Sequence, residues 1–258
     1  MLSRNDIKHI QSLRQKKFRD LHRQFVAEGS KLVLEIAEGP FRVINVYALG
    51  GWLEKHELVL REKKILFTEV TEEEMERITA LSSPAPSLAL AEIPEANCLP
   101  VPPVHELVLA LDDIRDPGNL GTIIRIADWF GIRCVVCSEQ TVDLFNPKVI
   151  QATMGSVARV RVDYCNLPDF LSSMDAITKI YGTFPEGENI YHKQLEPEGI
   201  ILIGNESSGI SEEVASHVTD RISIPSWSPG DRRDDHAESL NASVATAIVC
   251  AEFRRRGG

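Results

Sequence analysis

The alternation of short apolar runs with helix-like segments is the feature that most constrains the fold of this chain. From residue 106 onward, apolar runs of strand length predict β-strands at 106–111, 133–137, 157–162, 177–183, 200–204 and 221–224. Apolar residues at helical spacing predict helices near 119–130, 146–153, 167–175, 210–217 and 240–255. This regular alternation is typical of a mainly parallel sheet that is covered by helices on both faces. We therefore predict an α/β fold for this part of the chain.

A proline-rich segment divides the chain. The stretch "IPEANCLPVPPVHE" (93–106) holds four prolines, which exclude a regular helix or a central strand. We predict a linker at 93–105 between an N-terminal domain, 1–92, and a C-terminal domain, 106–258. The N-terminal domain is predicted to be a small α/β unit, with helices at 30–38 and 71–81 and strands at 41–48 and 87–93.

Composition excludes several classes of protein. The chain is 43% hydrophobic and 26% charged, as in ordinary globular domains, and no apolar run approaches a membrane span. The basic, polar N-terminus has no apolar core of a signal peptide. Five scattered cysteines suit a reducing compartment, so we expect a cytoplasmic protein, and we interpret Cys134 and Cys137 as core residues of one buried strand. The seven histidines show no metal-ligand spacing, and we expect no metal.

Charge is distributed unevenly along the chain. The net charge is −10, yet residues 1–31 hold eight basic and three acidic residues. Local basic patches matter more for phosphate contact than total charge does. We therefore predict RNA contacts from Lys16, Lys17, Arg19 and Arg23, while a solvated helix face is the simpler interpretation of the same residues.

Three segments rich in Gly, Asn, Ser and Pro follow predicted strands. They are "LDDIRDPGNLGTIIRIADWFGI" (111–132), "ILIGNESSGISEEV" (201–214) and the stretch 224–245, which contains "SLNASVA". Ligands of open α/β sheets bind outside the carboxyl ends of the strands, so these segments predict a site. Asn119 and Ser211 are also good helix caps. Arg125 has apolar neighbours, so its side chain must extend to solvent, form a pair or serve a site.

The predicted last helix is apolar on almost every side. Its residues from Ala242 to Phe253 are mostly Ala, Val and Ile, and such a helix is buried on nearly all sides. Leu240, just before it, is predicted to turn inward. Some of the burial could come from a partner subunit. No G-x-G-x-x-G motif is present, so a Rossmann-type dinucleotide or methyl-donor loop is not supported.

Together these segments resemble the motifs of the SpoU/TrmH family of RNA 2′-O-ribose methyltransferases, within the SPOUT superfamily. The three motifs are "NLGTIIRIAD" (119–128), "LIGNESSGIS" (202–211) and "IP…SLNASVA" (224–245). The N-terminal part is similar to a ribosomal-protein-like substrate-binding module, through "RQFVAEGSKLVLE" (23–35). The resemblance implies a trefoil knot in the C-terminal domain, a homodimer, RNA as substrate and S-adenosylmethionine as methyl donor.

The resemblance also implies the roles of particular residues. The catalytic positions match Asn119, Arg125, Glu206, Ser239 and Asn241. The donor contacts match Gly204, Ile224 and Leu240, to which we add Thr183, Asn205 and Gly209. In this scheme Arg125 stabilises the developing alkoxide of the ribose, Glu206 or a water accepts the proton, and Asn119 and Asn241 orient groups by hydrogen bonds.

The spacing of the third motif departs from the family. Thirteen residues, 226–238, lie between Pro225 and Ser239, which is longer than in the family, and Ser226 stands where the family has Met. We predict methylation of a ribose 2′-OH in RNA, with rRNA favoured over tRNA. The insertion motivates an alternative, a catalytically inactive RNA-binding protein of the same fold. A third interpretation, a small-molecule α/β enzyme, predicts no RNA affinity.

Overall fold

A computed structural model describes residues 2–95, 105–227 and 239–256, and only the backbone at residue 256. The ten helices of the described residues are α1 Arg4–Ser12, α2 Lys16–His22, α3 Ser30–Glu38, α4 Gly50–Glu62, α5 Glu72–Ile78, α6 Pro117–Trp129, α7 Pro147–Thr153, α8 Leu167–Ser172, α9 Glu212–Ala215 and α10 Ala242–Arg256. The ten strands of the same residues are β1 Gln24–Glu28, β2 Val43–Ala48, β3 Phe67–Glu69, β4 Ser87–Glu92, β5 Leu107–Leu111, β6 Cys134–Ser138, β7 Arg161–Cys165, β8 Ile180–Asn189, β9 Gly199–Ile203 and β10 Asp220–Ser223.

The chain forms two compact units. The first holds Met1–Ala96 and Asp143–Arg159, and the second holds Asn97–Val142 and Val160–Gly258. The predicted domain boundaries, 1–92 and 106–258, stay a prediction, and most of the predicted linker lies outside the described residues. The structure adds that a segment between β6 and β7 groups with the first unit.

The first unit is built on a four-stranded sheet of order β1-β4-β2-β3. β4 pairs antiparallel with both β1 and β2, and β2 pairs parallel with β3. The predicted helices at 30–38 and 71–81 and the strands at 41–48 and 87–93 correspond to α3, α5, β2 and β4. The helices α1, α2 and α4 and the strands β1 and β3 were not predicted.

The segment from Asp143 to Arg159 is held in the first unit by polar and aromatic contacts. Arg19 Nη2 lies 2.5 Å from Asp143 Oδ2, and Phe25 packs on Phe145 with ring centroids 4.8 Å apart. Arg159 pairs with Glu35. The segment contains α7 and a 3₁₀ turn at Ser156–Ala158. This turn is why β7 begins at Arg161 and not, as predicted, at 157.

The second unit contains a six-stranded sheet of order β10-β8-β9-β5-β6-β7. Every pair in it is parallel, which confirms the predicted α/β class. The chain runs outward from β5 through β6 to β7 and later fills the other side with β8, β9 and β10. The direction of winding therefore reverses between β5 and β9, and such a switch point is where open α/β sheets bind ligands.

The thiols of the second unit belong to its core. Cys134 and Cys137 are both buried in β6, as predicted. Burial raises the pKa of the Cys134 thiol to about 11, because the charged thiolate is poorly solvated there. These residues therefore act as small apolar side chains. In the described part of the chain, no helix is long and apolar enough to cross a membrane. The trefoil knot stays a prediction.

Candidate active site

The loop after β5 sets up the first side of the site. Asp113 adopts a left-handed backbone conformation with φ +56°, and its N–H donates to Ser138 Oγ at 2.9 Å. Asp116 is the N-cap of α6, where its carboxylate accepts the N–H of Asn119 at 2.8 Å. Pro117 occupies the first helical turn, where it has no N–H to leave unpaired. The capping role considered for Asn119 therefore belongs to Asp116, and the Asn119 side chain is free for other contacts.

The loop after β9 is organised by Asn205. Its side-chain oxygen accepts the N–H groups of Ser207 and Ser208 and the Ser207 hydroxyl, and its Nδ2 donates to the Asp113 carbonyl at 2.7 Å. Asn205 also pairs through its backbone with Gly209, which has φ +69°. A side chain at Gly204 would collide with the Gly209–Ile210 peptide. Gly204 is thus required by its own loop, and the Asn205 side chain shapes that loop rather than facing a ligand.

Asn241 caps the amino end of α10. Its Oδ1 accepts the N–H groups of Ser243 and Val244 and the hydroxyl of Ser243, at 3.0, 3.3 and 2.6 Å. The capping role considered for Ser239 or Asn241 therefore falls to Asn241, and Ser239 is exposed. Leu240 is 45% exposed, so the prediction that it turns inward is wrong for the single chain.

Three predicted catalytic residues meet through their side chains. Asn241 Nδ2 donates to Asn119 Oδ1 at 2.9 Å, and Asn119 Nδ2 donates to Glu206 Oε1. We call this series of contacts the amide relay. It joins the segments after β5 and β9 to the start of α10, at the switch point of the sheet.

The direction of the hydrogen bonds in the amide relay follows from the capping of α10 by Asn241. Because Asn241 Oδ1 accepts the N–H groups of α10, its amide nitrogen must point towards Asn119. The Asn119 amide must then direct its oxygen to Asn241 and its nitrogen to Glu206. Glu206 is consequently an acceptor at Oε1, and no described residue donates to its Oε2. The relay presents one free carboxylate oxygen in a fixed position.

Arg125 does not join the amide relay. It lies six residues after Asn119 on α6, which is a rotation of about 240° and places it about 120° away around the helix. Arg125 is exposed, and no described residue makes a hydrogen bond or ion pair with it. Trp129, one turn further on, is 84% exposed.

The predicted donor contacts lie on or directly after three adjacent strands. Thr183 extends β8 past its pairing with β9, and its hydroxyl donates to the Leu202 carbonyl at 3.2 Å. Gly204 directly follows β9, and Ile224, which is half-buried, directly follows β10. The strands β10, β8 and β9 therefore carry one predicted contact each: Gly204 and Ile224 directly follow their strands, and Thr183 lies in β8 just after its last pair with β9.

The last helix has one buried and one open face. Val249, Cys250 and Phe253 are buried, whereas Val244 is 47% exposed and Ala251 is exposed. The expectation that α10 is buried on nearly all sides is thus wrong within the single chain. Burial raises the pKa of Cys250 to about 12.

Helices α6 and α10 run parallel and side by side. Their amino ends meet at Asn119 and Asn241, and Arg254 donates to the carbonyls of Phe130 and Gly131 at the carboxyl end of α6. The two helices that carry these exposed side chains, α6 and α10, therefore contact each other at both ends.

The predicted RNA contacts divide into exposed and buried residues. Arg19 is only 2% exposed and also donates to the carbonyls of Leu13 and Arg14. It cannot reach a phosphate without leaving Asp143, so this assignment is corrected to a structural role. Lys16 is exposed and pairs with Asp20, Lys17 is exposed over the Phe18 ring, and Arg23 is exposed and donates to the carbonyls of Ile93 and Pro94.

Sequence reasoning missed the way in which Asp113, Asp116 and Asn205 support the relay. Asp116 precedes a proline at the start of a helix, which is a recognisable capping signal. The roles of Asn205 and Asp113 had no such signal, because their partners lie about ninety residues apart in the chain.

A parallel sheet with a polar cluster at its switch point is typical of α/β proteins that bind ligands at the carboxyl ends of their strands. Comparison with known proteins narrows this class. A family model described as the SpoU rRNA Methylase family matches residues 106–251. A second, the MRM3-like substrate binding domain, matches residues 4–89. The chain therefore belongs to the SpoU rRNA methylase family.

Named relatives and solved structures support the assignment to this family. The 23S rRNA (guanosine(2553)-2′-O)-methyltransferase RlmP of Bacillus subtilis is 30% identical over 250 residues, which cover 96% of this chain and 95% of the relative. A structure assigned to the TrmH family of RNA methyltransferases, from Porphyromonas gingivalis, is 38% identical with a TM-score of 0.85 and 99% coverage of both chains. The AdoMet-bound rRNA methyltransferase of Sinorhizobium meliloti is 30% identical with a TM-score of 0.80, covering 99% of this chain and 96% of that one. The predicted family, enzyme class and methyl donor are confirmed at the level of the family.

Proposed function

We propose that this protein transfers a methyl group from S-adenosylmethionine to a ribose 2′-OH of RNA. The amide relay from Asn241 through Asn119 to Glu206 carries the proposal, because it ends on a carboxylate oxygen without a donor among the described residues. A free, fixed carboxylate is suited to receive the proton of a hydroxyl nucleophile.

The proposed reaction is an in-line displacement. The ribose 2′-oxygen forms a bond to the methyl carbon while the bond from sulfur to that carbon breaks, and the hydroxyl proton passes to Glu206. When bound, S-adenosylmethionine supplies the methyl group on an activated sulfonium. Asn119 holds Glu206 at its Oε1, so that Oε2 stays directed at the hydroxyl, and Asn241 fixes Asn119. Ser239 lies two residues before Asn241, and its exposed hydroxyl is available to RNA.

The residues present fit the proposed donor. Ile224 and the half-exposed Leu240 offer apolar surface. The carboxyl ends of β9 and β10, and β8 just after its pairing with β9, offer backbone groups. We propose Thr183, Gly204, Ile224 and Leu240 as the donor contacts. Asn205 and Gly209 support this site by shaping the loop after β9. The effect of residues 228–238 on the site lies outside the described residues.

We further propose a homodimer through the open faces of α6 and α10. Trp129 and Val244 expose apolar surface on these parallel helices, and an exposed apolar patch that spans neighbouring helices is typical of an interface. Arg125 lies on the exposed side of α6, away from its own relay, so we propose that it acts on the ribose held by the partner subunit. There its charge would stabilise the developing alkoxide, because an arginine stays protonated.

The substrate proposed is ribosomal RNA rather than tRNA. Relatives that match along the whole chain are named as rRNA methyltransferases, and residues 4–89 match a substrate-binding domain. We propose RNA contacts from Lys16, Lys17 and Arg23, an RNA-binding domain at 1–92, a catalytic domain at 106–258 with a trefoil knot, and a cytoplasmic location.

Methylation mapping tests this function. Ribose methylation is mapped across total RNA from a strain that lacks the protein, and purified protein is then assayed on that RNA with labelled donor. We expect one rRNA position to lose its methyl group and to regain it in vitro, and Glu206→Gln to abolish the transfer. Donor and RNA binding without any transfer would instead establish the inactive RNA-binding protein.

A further inference from the structure

The three segments that form the site carry an unbalanced charge. The stretches 113–119, 204–209 and 239–241 contain three carboxylates, Asp113, Asp116 and Glu206, and a single cation, Arg115. An RNA backbone is polyanionic, and these carboxylates repel it unless a cation intervenes. Arg125 does not supply that cation within the same chain, because it leaves α6 on another side.

Arg115 is held in one orientation by Asp113. Its Nε donates to Asp113 Oδ1 at 2.9 Å, and its Nη2 lies 2.8 Å from Asp113 Oδ2. This two-point contact fixes the plane of the guanidinium and leaves Nη1 free of it. Arg115 remains 74% exposed, so its outer N–H groups face solvent.

Asp113 is in turn fixed by the end of β6 and by the loop after β9. Its N–H donates to Ser138, and its carbonyl accepts the amide of Asn205. Its left-handed backbone is uncommon for a residue other than glycine, and such conformations persist where the surroundings enforce them, often at functional sites. Arg115 is therefore tied to the same loop that carries Glu206.

Arg115 also lies next to the helix start that carries Asn119. It directly precedes Asp116, whose carboxylate binds the Asn119 N–H. In RNA the 3′-phosphate sits on the ribose carbon beside the 2′-hydroxyl, so a cation near the reacting hydroxyl meets that phosphate. We propose that Arg115 is a positioning residue that binds the 3′-phosphate of the nucleotide to be methylated, a role that rests on the proposed function.

The test compares Arg115→Ala with Arg133→Ala, using rRNA from a strain that lacks the protein. Arg133 is an exposed cation just before β6, at the opposite edge of the parallel sheet. For Arg115→Ala we expect the KM for RNA to rise about tenfold or more. The slope of the logarithm of RNA affinity against the logarithm of salt concentration should decrease by the amount expected for about one phosphate contact. We expect kcat, donor affinity and Tm to be retained, because an exposed ion pair contributes little to stability.

Arg115→Lys sharpens the test. A point charge restores the salt dependence but not the planar fork, so the KM should lie between those of the wild type and Arg115→Ala. The proposal is overturned if Arg115→Ala and Arg133→Ala have the same RNA affinity and salt dependence. It is also overturned if Arg115→Ala binds the donor more weakly or has a lower Tm, because either change would indicate a structural role. If the wild type binds rRNA without methylating it, the proposed function fails, while the salt dependence of binding still decides the role of Arg115.

Discussion

Replacing Asn241 by Asp separates the two roles of this residue. Asp and Asn are comparable helix N-caps, so the introduced carboxylate would still accept the N–H groups of α10, and its negative charge suits the amino end of a helix. A carboxylate has no N–H to donate, however, so the contact with Asn119 Oδ1 is lost. We therefore expect stability to be kept while the amide relay is broken.

The size of the effect follows from the contact removed. In the free protein water can replace the lost donor, because Asn119 is only half-buried and Asn241 is exposed. In the transition state, where substrate excludes that water, the unpaired acceptor costs about 1–2 kcal/mol, and kcat decreases roughly 5- to 30-fold. The matched variant Asn241→Ala loses the cap as well, which costs about 1 kcal/mol and lowers Tm by about 2–4 °C.

Single-turnover transfer of labelled methyl to rRNA measures the rate, thermal unfolding measures stability, and calorimetry measures donor binding. We expect Asn241→Asp to match the wild type in Tm and donor affinity and to be slow in transfer. A rate within about twofold of the wild type, with normal stability, would refute the argument that Asn241 orients Asn119.

Three further predictions concern stability, assembly and thiol chemistry. Arg19→Ala should destabilise the protein by about 3–5 kcal/mol, because it leaves Asp143 without its buried partner, whereas Lys16→Ala should change the unfolding free energy by less than about 1 kcal/mol; equal denaturant midpoints would contradict the buried role of Arg19. Val244→Asp should yield a folded monomer in light scattering, since Val244 lies on the open face of α10, and an unaltered dimer would exclude that face. In a Cys98→Ser background, Cys250 should not react with a thiol reagent at pH 8, because its pKa is raised to about 12. Rapid labelling of the folded protein would contradict this expectation. The unfolding free energy should fall as the pH rises above about 8.5, the pKa of a thiol in the unfolded chain, because the folded protein then holds the proton more tightly.

Periodicity in the sequence predicted most elements of the second unit, because a parallel sheet that is covered on both faces requires continuous apolar strands. The runs at 106–111 and 200–204 are apolar apart from Glu106 and correspond to β5 and β9 almost as predicted. The elements missed in the first unit have weaker patterns, and α2 contains Lys16, Lys17 and Asp20 with little apolar spacing.

The motifs also placed the proposed catalytic residues Asn119 and Glu206 after predicted strands. Asn119 and Glu206 follow β5 and β9, and those strands are neighbours, which the order of strands along the chain does not state. Only the pairing of β5 with β9 brings these residues together, and only the capping of α10 by Asn241 sets the direction of their hydrogen bonds.

The burial of charged side chains was a property that the sequence could not decide. Arg19 lies among basic residues and was predicted to contact RNA, yet Asp143, more than a hundred residues away, pairs with it inside the first unit. Arg125 and Asn119 share one motif, but six residues of helix turn their side chains to different sides. The sequence by itself determined which residue types stand at each strand end, because local pattern encodes local structure. The tertiary structure decided which of them meet, because contacts between distant segments depend on strand order and helix rotation that no local pattern records.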